Sequence, residues 1–173
     1  MKKTLVAVLV TLLVLAGCGG GSDKNTLTVA APSKQPGDFI AGFSNDSFDK
    51  DVRNLIGAYG THYVDPETAE LKIDPSVVEN VEVTEHDSGD KTYTYTIKKG
   101  LKYSDGEEIT ADDFIFSFLF RAHPAWREVA TMESTGQDLL GYDAYVKGES
   151  DVFEGVEKVD DYTFALTIDG NAL

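Results

Sequence analysis

The residue types that most often carry out chemistry are few in this chain and poorly placed for catalysis. The three histidines, His62, His86 and His123, each lie alone in a turn-like context. Nucleophilic catalysis requires a Ser, Thr or Cys beside a base, and the sequence has no Gly-x-Ser-x-Gly turn. We therefore interpret the histidines as surface or capping residues and predict that the chain is not an enzyme.

Carboxylates are abundant, but their spacing does not favour acid–base chemistry or a metal site. The pairs Glu107-Glu108, Asp112-Asp113 and Asp160-Asp161 are adjacent in sequence, and adjacent side chains on a strand or helix point apart. The run from Asp105 to Asp113 lacks the alternating Asp spacing of a calcium loop. Phosphate-loop and zinc-ligand spacings are also absent, so we expect no metal and no cofactor.

The single cysteine, Cys18, follows a segment typical of a secretory signal. Lys2 and Lys3 precede an apolar run from Leu5 to Leu15, which is shorter than the roughly 20 residues of a membrane span. Leu15-Ala16-Gly17-Cys18 then resembles a lipobox, in which the cysteine is acylated after cleavage. The sequence predicts a signal peptide over residues 1–17, followed by a lipidated Cys18 and a flexible Gly-rich tether over 18–26.

The composition indicates a soluble, extracellular chain that does not bind nucleic acid. The formal net charge is −15, from 30 acidic and 15 basic residues. Such a surface repels nucleic acid and anionic lipid headgroups, and it disfavours anionic ligands. The length of 173 residues leaves room for one ordinary domain, or one domain and a fragment of a second. Because the last residues follow directly on a predicted strand, we expect the chain to be truncated.

A strand, two turns and a helix are predicted between Tyr93 and Arg121. Apolar residues alternate with hydroxyl or charged residues from Tyr93 to Lys98, as in a half-buried strand. Asp105-Gly106 suits a turn. A helix is predicted to begin at Thr110 and to end at Pro124, and its nearly complete apolar surface predicts burial against more than one neighbour.

The other elements are predicted from weaker patterns. A second alternating strand, from Tyr162 to Ile168, is expected to pair with the strand at Tyr93 in one sheet. The remaining predictions are a first strand over 27–31, an irregular loop over 38–48, a helix over 49–59, a hairpin of 63–64 with 71–73, and a strand over 77–83. The sequence predicts no element for residues 134–145. Together these elements predict an α+β unit with a mixed or antiparallel sheet and few helices.

The stretch from Tyr93 to Arg121, YTYTIKKGLKYSDGEEITADDFIFSFLFR, resembles the signature of family 5 solute-binding proteins, the peptide-binding components of bacterial ABC importers. The chain departs from the family pattern at Glu108, where Pro is common, and at Val81, where Trp is common. The resemblance implies the N-terminal portion of a two-lobed, type II periplasmic-binding-protein-like fold. It also implies that residues 27–60 begin the main ligand-binding lobe and that residues 61–173 form the accessory lobe.

The resemblance further implies where a ligand would bind. In the family, the region that corresponds to Gly42, Phe43, Ser44 and Asn45 lines the ligand cleft, and a free backbone edge there can add a peptide as an extra strand. Trp126 follows the predicted helix, where the family offers an aromatic side chain to the ligand. From the residues alone, a plain surface loop at 42–45 and a half-buried core position for Trp126 remain open alternatives.

The resemblance therefore predicts a monomeric lipoprotein on the extracytoplasmic face of a bacterial membrane. It would capture peptides or similar small solutes for ABC permease subunits, although the truncated chain alone is expected to bind nothing tightly. One alternative is a lipid-anchored sensor or adhesin that uses the same fold without transport. Another is an extracytoplasmic hydrolase whose catalytic part lies beyond Leu173. The ligand itself, whether a peptide, a nickel complex, a sugar or haem, is left open by the sequence.

Overall fold

The computed structural model describes residues 28–57, 59–130 and 135–172. By its internal contacts the chain divides into two compact units, Met1–Lys34 and Gln35–Leu173. The predicted signal peptide, Cys18 and the tether lie outside the described residues. No helix in the described part of the chain is both long enough and apolar enough to cross a membrane.

The predicted first strand is wrong for the part of it that is described. In the first unit, residues 28–34 are exposed and form no strand. Alternation alone does not make a strand, because the backbone N–H and C=O groups need a neighbouring strand to bond with. No such neighbour is present among the described residues of this unit.

The second unit contains six strands and four α-helices among its described residues. The strands form a two-stranded hairpin, β1-β2, and a four-stranded antiparallel sheet in the order β3-β4-β6-β5. In chain order the elements are α1 (Ser47–Ile56), β1 (His62–Val64), β2 (Leu71–Ile73), β3 (Val78–Glu85), β4 (Lys91–Ile97), α2 (Ala111–Ala122), α3 (Trp126–Val129), α4 (Tyr142–Val146), β5 (Val156–Asp160) and β6 (Thr163–Ile168), followed by a 3₁₀ turn, Gly170–Ala172. The predicted α+β class is confirmed.

The predicted pairing of the two aromatic strands is confirmed at the centre of the sheet. β4 and β6 are antiparallel neighbours, with Tyr95 opposite Phe164. The rings of this pair stack with centroids 5.2 Å apart, and Phe114 of α2 stacks on the other side of Phe164 at 5.4 Å. This aromatic column joins helix and sheet in the main core.

The predicted helix after Thr110 is confirmed, and local chemistry accounts for both of its ends. The Asp113 carboxylate accepts a hydrogen bond of 2.8 Å from the backbone N–H of Thr110, which satisfies one free donor at the helix start. α2 ends at Ala122, because the residue before Pro124 is restricted to extended backbone. The predicted burial against more than one neighbour is confirmed, because the helix contributes residues to both core clusters. Phe116 and Phe120 remain 62% and 38% exposed.

Two elements near the C-terminal end were not predicted. A second core cluster forms around α4, where Tyr145 stacks on Phe153 at 5.1 Å. β5 is an edge strand with Glu157 and Lys158 in its middle. An edge strand with charged side chains lacks a clear apolar alternation, so its pattern is weak in the sequence.

Candidate functional site

The loop over residues 35–45 is held in place by helix α1. The helix begins at Ser47 behind the cap residue Asp46, whose carboxylate accepts hydrogen bonds from the backbone of Phe48 and Asp49. It begins and ends earlier than the predicted 49–59, because the chain turns to extended backbone at Gly57. The side chain of Arg53 reaches from α1 to the carbonyl of Asp38 at 3.2 Å.

Asp49 is the main link between α1 and this loop. Its carboxylate accepts hydrogen bonds from the backbone N–H groups of Gly37, at 3.1 Å, and Asp38, at 3.2 Å. The side chain has no exposed surface. Removal from water alone would raise the pKa of Asp49, but the hydrogen bonds outweigh this effect and hold the pKa below its ordinary value of 3.8.

The lowered pKa of Asp49 predicts that the loop loses stability in acid. A group whose pKa is depressed by folding contributes stability above its unfolded pKa of 3.8, and this contribution is lost as the pH falls through the lower folded value. We expect Asp49→Asn to lower the urea midpoint at pH 7 and to flatten its decline between about pH 5 and pH 2. Asp87→Asn, at an exposed turn position, is the control. Parallel pH curves for Asp49→Asn and the wild type would contradict the role of this carboxylate.

The loop and helix α2 meet at Trp126. The indole of Trp126 is 3% exposed and makes edge-to-face contacts with Phe43, at 5.5 Å between ring centroids, and with Phe120, at 5.2 Å. Gly42 has a positive φ of 100°, and a side chain there would collide with the indole. The loop therefore packs closely against Trp126 only because residue 42 is glycine.

This packing continues onto an exposed aromatic surface. Phe116 and Phe120, one helical turn apart on α2, stack with centroids 5.4 Å apart and planes 15° apart. Phe120 contacts Trp126, whereas Phe116 is the more exposed of the pair. Phe43, Phe116, Phe120 and Trp126 are called the aromatic cluster below. Its exposed part can pack against apolar side chains or a peptide backbone at low entropic cost.

The structure brings three of the five residues predicted to bind ligand into contact, namely Gly42, Phe43 and Trp126. Ser44 is buried, and its hydroxyl accepts a hydrogen bond from the backbone N–H of Asp46. Asn45 is exposed. Trp126 is more deeply buried than a residue at a cleft rim or at a half-buried core position would be. The binding role of these residues stays a prediction.

Sequence reasoning missed Phe116 and Phe120 as site residues. Their spacing of four residues places them on one face of α2, but their neighbours are also apolar, so the pattern does not reveal which face is uncovered. Within the described ranges, no group of three or more His, Cys, Asp or Glu residues could hold a metal ion.

The fold has clear counterparts among solved structures. It matches part of the Listeria monocytogenes OppA structure bound to peptide, with a TM-score of 0.60 and 24% identity over 75% of this chain and 24% of that chain. It also matches the Escherichia coli murein tripeptide binding protein MppA, with a TM-score of 0.58 and 18% identity over 78% of this chain and 25% of that chain. The fold is therefore part of a periplasmic-binding-protein-like fold, as predicted.

The chain belongs to the bacterial extracellular solute-binding proteins, family 5, whose middle-region model matches residues 72–172. It is 28% identical over 134 residues to the oligopeptide-binding protein AppA of Bacillus subtilis, covering 68% of this chain and 23% of AppA. It is 38% identical over 101 residues to the oligopeptide-binding protein AmiA of Streptococcus pneumoniae, covering 54% of this chain and 14% of AmiA. The chain thus matches less than a quarter of the length of either relative.

Proposed function

We propose that this chain is part of an extracytoplasmic solute-binding lipoprotein that captures peptides or similar small solutes for an ABC importer. The observation that carries the proposal is the contact between the 35–45 loop and the aromatic cluster, in a chain that belongs to family 5. The relatives AppA and AmiA are both described as oligopeptide-binding proteins, which supports a peptide as the ligand.

The two parts of the site would contribute different contacts to a bound peptide. An extended peptide can pair with backbone N–H and C=O groups at the edge of a protein, which gives affinity that depends little on the peptide sequence. The exposed rings of Phe116 and Phe120 would then contact the peptide's side chains. The protein binds and releases its ligand without changing it, and therefore acts as a binding protein and not as an enzyme.

Tight binding would require a second lobe. In a two-lobed protein the ligand selects the closed arrangement, so the measured affinity depends on how often that arrangement is populated. Closure would present a docking surface to the permease subunits in the membrane. The protein would act as a monomer, tethered to the outer face of the membrane through an acyl group on Cys18, with residues 27–60 and 61–173 belonging to different lobes.

The test compares the native protein with the 173-residue chain. We expect the open reading frame to continue past Leu173 into a second lobe, and the protein released from its own cells to carry an acyl group on Cys18. We also expect the native protein to bind a peptide mixture with roughly micromolar affinity in calorimetry, whereas the 173-residue chain binds far more weakly. Phe116→Ala in the native protein should weaken peptide binding while lowering the free energy of unfolding by only about 1 kcal/mol or less.

Either of two results would contradict the proposal. A native chain that ends at Leu173 would favour a lipid-anchored sensor or adhesin over a transport protein. A longer native protein that binds no peptide would remove the peptide assignment but leave the family assignment intact.

A further inference from the structure

A cavity lies against helix α2, away from the exposed aromatic surface of Phe116 and Phe120. It has a volume of about 530 Å³ and lies between the helix, the sheet and the residues just before β1. Its lining includes the aromatic side chains of Tyr95, Phe118 and Phe164, with Arg121 and His62 as polar members. Arg121 follows Phe120 in the helix, and successive helical residues are rotated by about 100°. The cavity lining contains neither Phe116 nor Phe120.

Arg121 is the unusual group in this cavity. The residue is half-buried, and its guanidinium forms no hydrogen bond or ion pair with any part of the chain that the structure describes. Several cations of the chain pair with carboxylates: Lys72 with Asp65, Lys91 with Glu85 and Lys158 with Asp112. Arg121 has no such partner among the described residues, and it lines a cavity.

The polar groups around Arg121 leave it available to a ligand. The hydroxyl of Ser117 donates to the carbonyl of Phe114 at 2.7 Å, so it is already used within the helix. The Nδ1 atom of His62 pairs with the hydroxyl of Thr61 at 3.0 Å, and its ring packs edge-on to Tyr95. Most of the other side chains that line the cavity are aromatic.

The chemistry of the cavity defines the class of molecule that fits it. A guanidinium binds a carboxylate through two parallel N–H···O hydrogen bonds, a geometry that no other side chain reproduces. The aromatic walls favour an apolar body, and the volume lies within the usual range for small-molecule sites. A neighbouring cavity of about 620 Å³ shares Tyr59, Phe114 and Ser117 with this one, which leaves room for a longer ligand.

We propose that this cavity binds an apolar monocarboxylate, with the carboxylate held by Arg121 and the apolar body packed against the aromatic side chains that line the cavity. The ligand is either a free aryl or alkyl acid or the carboxyl terminus of an apolar peptide. The site is separate from the aromatic cluster, so this proposal does not rest on the peptide-binding function proposed above.

The test uses 3-phenylpropionate and its uncharged amide, 3-phenylpropionamide, with the 173-residue chain. We expect the acid to bind in roughly the millimolar range in calorimetry and to shift the NMR signals of the His62 ring. The amide should bind at least about tenfold more weakly, because it lacks the charge that the guanidinium recognises. Equal binding of acid and amide, or no saturable binding of the acid, would overturn the proposal.

Variants then assign the effect to Arg121. Arg121→Gln should weaken binding of the acid by about tenfold or more, whereas Lys147→Gln, which removes the same charge at an exposed position, should leave it unchanged. Arg121→Lys keeps the charge but loses the paired hydrogen bonds, so intermediate binding is expected. Circular dichroism checks that each variant is folded. Wild-type affinity in the folded Arg121→Gln protein would overturn the proposal.

A competition experiment identifies the source of the carboxylate. A dipeptide with an apolar C-terminal residue is added with either a free or an amidated carboxyl terminus. Displacement of 3-phenylpropionate by the free form alone supports the site and assigns it to peptide termini. Failure of both forms to compete, with the acid still dependent on Arg121, supports the site and assigns it to free acids. Equal displacement by both forms overturns the role of the carboxylate.

Discussion

Replacing Phe164 with Ala is expected to lower the free energy of unfolding by about 3–5 kcal/mol. Phe164 is 1% exposed and lies in the middle of the aromatic column, stacked between Tyr95 of the sheet and Phe114 of α2. Removing its ring leaves a cavity between helix and sheet that the surrounding backbone cannot close. Urea unfolding followed by circular dichroism measures the change.

Phe116→Ala is the matched control for this prediction. It removes the same ring from the helix that packs on Phe164, but Phe116 is 62% exposed. We expect a loss of about 1 kcal/mol or less, mainly from its stacking on Phe120. Similar losses for the two variants would show that the aromatic column does not stabilise the fold as the structure implies.

Replacing Gly42 with Ala is expected to disrupt both the loop and the proposed peptide site. The new methyl group would collide with the indole of Trp126, so either the ring or the loop must move. We expect a loss of about 1–3 kcal/mol from overpacking, added to about 1–2 kcal/mol for a non-glycine residue in left-handed backbone. Trp126 is the only tryptophan, so its fluorescence reports the displacement directly.

Gly37→Ala separates the collision from the backbone strain. Gly37 lies in the same loop with a similar φ of 90°, but a side chain there meets no atom within 4 Å. We expect Gly37→Ala to lower the free energy of unfolding only by the cost of a non-glycine residue in left-handed backbone, and to leave the fluorescence of Trp126 unchanged. In the native protein, peptide binding should be weakened by Gly42→Ala and retained by Gly37→Ala. Equal effects of the two variants would mean that the contact between residue 42 and Trp126 has no special role.

Elements whose pattern is local were predictable from the sequence. The alternation in β4 and β6, the Asp-Pro turn between β1 and β2, and the acidic start of α2 each act over a few residues. The family signature coincides with these elements, so the fold class and the family could both be predicted from one stretch, Tyr93 to Arg121. The strand predicted over 27–31 failed for its described residues, because a strand also needs a partner that the pattern does not reveal.

The candidate site depended much more on tertiary structure. The family resemblance predicted Gly42, Phe43 and Trp126 as ligand-binding residues. The edge-to-face contact between Phe43 and Trp126, however, joins residues that are more than 80 positions apart in the chain. Phe116 and Phe120 have the residue type and the spacing that are typical of buried helix positions. Their exposure is set by what covers that face of α2, and covering is a property of the packed fold.

The central strands, the capped helix, the acidic charge and the family thus follow from the amino-acid sequence, since each depends on the types of residues and their local order. Tertiary packing is what encloses Asp49 beneath the loop, brings Gly42 against Trp126, and places Arg121 at an aromatic cavity without a carboxylate partner among the described residues. The physical reason is that burial, contact and charge pairing depend on residues that are distant in sequence and become neighbours only when the sheet, helix and loop pack together.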